Sequence, residues 1–159
     1  MGRKSLFAIL LTVCLLFACC EGKDEINKSD YCFSYQDITF TVGDDTDKTV
    51  MLLGEANRIS RAPSCAGEGD DELYIYNGFR ILSHRDGRGA RIYAIELSND
   101  TCATTEGVRI GDSVGKVKEI YDNGDDKGTR IEYAGERCRL VFYLQNGKVY
   151  MIKYVENGV

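Results

Sequence analysis

From Ile38 onward the apolar and polar positions change period in a set order, and that order occurs twice. Ile38, Phe40 and Val42 alternate with Thr39 and Thr41, which reads as an extended lead-in. Gly43-Asp44-Asp45 follows. Thr49, Leu52 and Leu53 then make one side of a short helix, capped by Asp44 or Asp45 and ended by Gly54. Residues 57–71 carry the only proline, Pro63, and an acidic, glycine-rich piece, so they read as a loop. Residues 73–76, 79–84 and 91–97 alternate as strands, the last pair joined by Asp86-Gly87-Arg88-Gly89. The second pass opens at Gly111-Asp112-Ser113 and places Val114, Val117, Ile120 and Tyr121 at helical spacing before Gly124. Residues 130–133, 138–144 and 148–155 then read as strands, with the hairpin dipeptide Asn146-Gly147 between the last two.

The two passes match residue for residue at several points. Gly43-Asp44-Asp45 aligns with Gly111-Asp112-Ser113, Lys48 with Lys116, Tyr76-Asn77-Gly78 with Tyr133-Ala134-Gly135, Arg80 with Arg137, and residues 92–97 with 149–154. Self-similarity at this spacing predicts a duplicated supersecondary unit. The expected fold class is α+β: two tandem αβββ units, residues 37–98 and 99–159, each an antiparallel sheet with a helix covering one face. Their sheets stand side by side or run on continuously. Period-two alternation assigns the faces once Glu96 and Lys153 are placed in solvent. Tyr93, Ile95, Leu97, Tyr150, Ile152 and Tyr154 then point inward, with Tyr74, Tyr76, Ile81, Ile131, Tyr133, Cys138, Leu140 and Phe142. The opposite faces carry Arg80, Leu82 and His84 in the first unit and Arg139, Val141, Tyr143 and Met151 in the second.

With 43% hydrophobic and 28% charged residues, the chain of 159 residues has the profile of a globular protein able to bury a core, and not of a disordered one. Its first residues differ in kind. Arg3 and Lys4 precede an uncharged run to Cys20, too short for a confident membrane span and shaped as a signal peptide. The end of that run, Leu16-Phe17-Ala18-Cys19, resembles the lipobox of bacterial lipoproteins, although Phe17 is bulkier than that family usually allows. The resemblance implies cleavage after residue 18 and diacylglycerol with palmitate-type chains on Cys19. Residues 19–36 would then be lipid anchor and tether. Alternatives at this end are an ordinary secretory signal cut near Cys20 and an uncleaved anchor. Loss of residues 1–18 removes two basic residues from the 20 basic and 25 acidic ones, a net of −7, which argues against nucleic acid as a partner.

Cys20, Cys32, Cys65, Cys102 and Cys138 remain beside the anchor, and export favours disulfides. Among the three connectivities of the last four, the pairing that respects the duplication is Cys32 with Cys65 and Cys102 with Cys138. A zinc site would have to use these thiols with no Cys-x-x-Cys pair and a single histidine, His84, so no metal is expected. No Gly-x-Ser-x-Gly is present, and Ser83 and His84 fall on opposite strand faces, so no hydrolase machinery is assembled. The acidic turns lack EF-hand spacing, and no cofactor is implied.

The glycine turn with an Asp and a Ser or Thr, the short helix and the antiparallel strands, repeated in tandem, resemble the β-lactamase-inhibitor-protein-like fold. Gly107, Ile110, Gly111, Ser113, Val117 and Gly124 carry that resemblance, with Val42, Gly43 and Leu53 in the first copy. Single units of this kind occur in small lipoproteins of the outer-membrane barrel-assembly machinery. The inhibitor's enzyme contacts find no counterpart here, and the chain has no Trp, so inhibition of a β-lactamase is not carried over. Together these readings predict an extracytoplasmic lipoprotein of the cell or outer membrane that acts as a non-enzymatic protein-binding module. An envelope-assembly factor and an extracytoplasmic enzyme are the alternatives. The expected partner is a protein, docked on Arg80, Leu82, His84, Arg139, Val141, Tyr143 and Met151, whose mix of apolar and cationic side chains suits an acidic rim.

Overall fold

The computed structural model describes residues 30–65 and 67–158. The signal peptide, the Cys19 lipobox and most of the tether lie outside the described residues. Two strands come first, β1 (Phe33–Tyr35) and β2 (Ile38–Phe40), joined through Gln36 and Asp37 at positive φ. They are followed by α1 (Thr46–Leu53), β3 (Arg58–Pro63), β4 (Asp70–Ile75), β5 (Phe79–Asp86) and β6 (Gly89–Leu97). The remainder is α2 (Val114–Ile120), β7 (Asp125–Asp126), β8 (Arg130–Ala134), β9 (Cys138–Gln145) and β10 (Lys148–Glu156). β3 to β10 form one antiparallel sheet of eight strands in the order β3-β4-β5-β6-β10-β9-β8-β7.

This corrects the expected pair of helix-covered αβββ units. β6 and β10 pair directly, Ile152 opposite Leu97 and Tyr154 opposite Ile95, so the two halves share one sheet. The described residues are predominantly β. Their two helices have 8 and 7 residues, roughly 10–12 Å at 1.5 Å per residue, against a sheet roughly 34 Å wide at 4.8 Å per strand. Two such helices cannot cover it. The same face also receives Phe33, Phe40 and Val42 from the entry arm and Cys102 and Val108 from the segment between the halves, all buried in one apolar cluster. The segment around Pro63 is β3, an edge strand, and not a loop. Pro63 ends it, where a missing N–H costs least.

The two helix-opening turns use one set of bonds. Gly43 and Gly111 have φ of 84° and 94°, a region in which glycine carries no side-chain penalty. Their N–H groups donate to the carbonyls of Ile92 and Val149, each at 2.7 Å, and the Ile92 and Val149 N–H groups donate back to Asp44 and Asp112. The Asp44 carboxylate accepts from the Thr41 N–H and that of Asp112 from the Arg109 N–H. Asp45 and Ser113 cap the helices, accepting from the N–H groups of Lys48 and Lys116. Each turn thereby locks its helix to the start of β6 or β10.

Two bulges correct the face assignment. Leu82 pairs with Ala94 but Ser83 with Ile92, leaving Tyr93 as an extra residue. Val149 pairs with Leu144 and Met151 with Tyr143, leaving Tyr150 extra. One inserted residue reverses parity for everything beyond it. Ile92 and Val149 therefore occupy the core, while Tyr93 is half-buried outside it and Tyr150 is 50% exposed. The other expected inward residues, from Tyr74 to Tyr154, do lie in the core cluster.

Cys32, Cys65, Cys102 and Cys138 are free thiols, so neither expected disulfide is formed. Cys65 is exposed beyond the end of β3, whereas the Cys102 thiol packs against the Asn77 carbonyl at the turn between β4 and β5. Cys32 is half-buried, its thiol 3.9 Å from the carbonyl of Asp30, whose carboxylate accepts hydrogen bonds from the N–H groups of Arg137 and Cys138 at the start of β9.

Candidate binding surface

The sheet has a core face and an outer face, and strand register places all seven anticipated docking residues on the outer one. Arg80 lies opposite Glu96, Glu96 opposite Lys153, Lys153 opposite Val141, and Val141 opposite Glu132, one row across five strands. A neighbouring row runs through Leu73, Leu82, Ala94, Val155 and Arg139. A third joins Met151, Tyr143 and Arg130. His84 stands opposite Asp71 at the far end of β5. The residues come from two halves of the chain, and the β6–β10 pairing makes them neighbours.

No helix lies on this face among the described residues: α1 contacts β2 and β6 from the core side, and Val117 of α2 is part of the core cluster. Leu73, Ile75, Leu82, Tyr143 and Met151 are half-buried, while Val141 and Ala94 are buried between longer neighbours. The polar side chains are arranged in two groups. Glu96, 7% exposed, accepts from Arg80 and pairs with Lys153 at 3.0 Å, so it is not the solvated residue expected. Glu132 is held between Arg130 and Arg139. Each carboxylate thus lies between two cations, and each group keeps one net positive charge on a chain whose overall charge is −5. Pairing fixes the long side chains before any partner arrives, which lowers the ordering cost of binding.

His84 Nδ1 lies 3.0 Å from the Asp71 carboxylate, and that hydrogen bond raises the imidazole above its ordinary value. Ser83 projects to the core face and donates to Glu72, so the two neighbours do not face one another. Glu72 sits in a separate polar cluster on that face. Arg61 pairs with it at 2.9 Å, Arg85 donates to it and to Asp47 of α1, and the Tyr74 hydroxyl donates to it at 2.9 Å. This cluster fastens α1 to β3, β4 and β5. Among the described residues no three His, Cys, Asp or Glu side chains converge as metal ligands.

Sequence reasoning missed the aromatic end of the surface. Tyr150, assigned to the core, stands beside Tyr143 with ring centroids 6.2 Å apart. Both line an open groove of about 390 Å³ with Thr129, Arg130, Leu144 and Gln145. The signal was available only as a phase conflict. Tyr93 and Tyr150 are at equivalent positions, and both are displaced by a bulge that alternation cannot register.

No family model and no curated protein matches the chain. Among solved structures it resembles an extracellular protein containing a SCP domain from Bacillus anthracis str. Ames, at 14% identity and a TM-score of 0.53. The likeness covers 74% of this chain and 44% of that one, so the chain spans less than half the length of the protein it matches. At this identity the likeness is one of fold alone.

Proposed function

We propose that this protein is an extracytoplasmic, lipid-anchored and non-enzymatic binding module that docks a protein partner on the outer face of its sheet. The observation carrying the reading is that face: half-buried Leu73, Ile75, Leu82, Tyr143 and Met151 between two carboxylates, each clamped by two cations, with no described helix over it. Apolar and aromatic anchors framed by pre-ordered arginines are the composition of protein interfaces, and the net positive charge selects an acidic rim. The N-terminal run and the Leu16 to Cys19 box support export and anchoring, and the fold likeness to an extracellular protein is compatible with that address. A non-enzymatic role is supported by the solitary His84, which is occupied by Asp71 and turned away from Ser83.

A photo-crosslinking residue at position 143 in the native envelope tests the surface, with one at exposed Glu119 of α2 as control. The expected result is a discrete adduct from 143 alone, lost in an Arg139→Ala and Met151→Ala background that still folds. Identical adducts from both positions, or an adduct unaffected by those substitutions, would remove this face. Release of the protein from the membrane fraction by Cys19→Ser tests the anchor separately.

A further inference from the structure

The eight-stranded sheet ends differently on its two sides. β7 closes one with 2 residues, Asp125–Asp126, whereas β3 closes the other with 6, Arg58–Pro63, all of them exposed. β3 keeps one unbroken register against β4, from Arg58 opposite Ile75 to Pro63 opposite Asp70. The Ser64 N–H continues that register, donating at 2.9 Å to the Gly69 carbonyl. In an antiparallel pair the bonded positions are every second residue. Ala62, Ser60 and Arg58 therefore turn their backbone groups toward β4, and Ile59, Arg61 and Pro63 turn theirs outward. Pro63, which has no N–H, stands where β4 requires none. The free edge thus offers the N–H and C=O of Ile59, those of Arg61 and the Pro63 carbonyl, with no bulge of the kind that blunts an exposed edge. The side chains alternate as well. Arg58, Ser60 and Ala62 lie on the outer face beside Ile75, Leu73 and Asp71, and Ile59 and Arg61 on the core side beside Tyr74 and Glu72. Arg58 is exposed and makes no ion pair among the described residues. The Asp71 side chain, 41% exposed, holds His84 and keeps an open side.

We propose that β3 is a self-pairing edge, to which a second copy of this chain adds its own β3 antiparallel about a two-fold axis at Ser60, joining the two sheets. The interface is isologous, so one strand supplies both sides. Centring on Ser60 sets Ile59 opposite Arg61 of the second copy, and Arg61 opposite its Ile59. Both are outward-turned positions, so every edge donor and acceptor of Ile59 and Arg61 is used. The charges agree with this register. Arg58 falls opposite Ala62 of the second copy, whose small side chain leaves the way open to Asp71 in the next strand, roughly 10 Å away at two strand spacings. Across the axis, the unpaired cation of each copy thereby meets the half-exposed carboxylate of the other. On the core side Ile59 packs against the stem of Arg61, whose head stays with its own Glu72 at 2.9 Å. Centring on Arg61 instead would set two arginines directly opposite one another, which is destabilising. It would also place Pro63 opposite Ile59, whose carbonyl would then find no N–H. The axis is therefore fixed by proline position and charge together.

Amide hydrogen exchange on the wild-type chain, followed from dilute to concentrated solution, reads the edge without any substitution. The expected result is slowing at Ile59 and Arg61 together, with Ser60 and Ala62 unchanged because β4 already holds them. Exchange at Ile59 and Arg61 that is indifferent to concentration, in a chain that sediments as a monomer throughout, overturns the pairing. The register is read by Ser60→Cys in a Cys65→Ser background. Opposed residues at the axis are close enough for a disulfide, so oxidation should give a covalent dimer joined through position 60, absent from the background chain and much reduced for Arg61→Cys. Equal yields at 60 and 61 overturn the register, and an adduct of another mass from cells with no dimer at 60 shows that a different protein occupies the edge and overturns self-pairing. Arg58→Glu should shift sedimentation toward the monomer and Arg58→Glu with Asp71→Lys should restore the dimer. A double variant as monomeric as the single one refutes the contact between Arg58 and Asp71.

Discussion

Replacing Phe33 by Ala tests the claim that the entry arm is part of the core. Phe33 is 0% exposed, lies opposite Phe40 in the β1–β2 pair, and has ring-centroid distances of 5.5, 5.0 and 6.0 Å to Phe40, Phe79 and Tyr154. Truncation removes the transfer free energy of the ring and leaves a cavity walled by Phe79 and Tyr154, which stand on two different strands of the sheet and cannot close in together. Phe→Ala changes at such sites cost about 3–5 kcal/mol. For a domain of this size that is a fall of about 10–20 °C in melting temperature. Urea unfolding followed by circular dichroism measures the loss at unchanged m. Ser34→Ala is the control: its hydroxyl bonds the Thr39 hydroxyl at 2.8 Å near solvent, and the expected loss is below about 1 kcal/mol. If Phe33→Ala also costs less than about 1 kcal/mol, the arm is not docked in solution, and the core described above is wrong on its β1–β2 side.

Glu72→Gln should flatten the acid limb of stability. Burial alone would raise the Glu72 carboxyl, but the hydrogen bonds from Arg85 and Tyr74 outweigh it and hold the group below the ordinary carboxylate range. A depressed folded value gives stability that is present above the unfolded pKa, about 4.3, and lost as pH falls through the folded one. The wild type should therefore weaken below about pH 4.3 relative to the variant in urea titrations. An unchanged pH slope in the variant would refute the assignment. His84 titrates in the opposite sense. Its folded pKa is raised by Asp71, so the stabilising contact is complete below the unfolded value of about 6.5 and fades as pH rises through the folded one. Its NMR midpoint should lie above 6.5 and return toward it in Asp71→Asn, and a midpoint indifferent to Asp71 would show that the pair does not persist in solution.

Several features were readable without coordinates because local chemistry determines them. Gly43 and Gly111 are needed where φ is positive, Asp45 and Ser113 can each cap a helix, and Asn146-Gly147 suits a two-residue turn in which both residues have positive φ. Alternation placed Tyr74, Ile81, Leu140, Phe142 and Ile152 inside because each lies where period two is uninterrupted. The seven candidate surface residues followed from the same parity and do share one face. Other features depend on contacts between segments distant in sequence. β3 has all six residues exposed, so it carries no hydrophobic period and exists only because β4 offers it a free edge. The bulges at Tyr93 and Tyr150 cannot be told from regular strand by composition, since an inserted residue shows only as a slip against its partner. The last four residues of β6, Ala94-Ile95-Glu96-Leu97, are buried on both faces because β10 lies beside them. The two described helices, of about two turns each, could not close two separate sheets, so the halves had to merge and share a core with the arm and the connecting segment. Burial of apolar area is collective and has no preference for which segment supplies it. The sequence therefore determined the local turns and most inward positions, and the tertiary structure decided the single sheet, its outer face and the company each cysteine keeps.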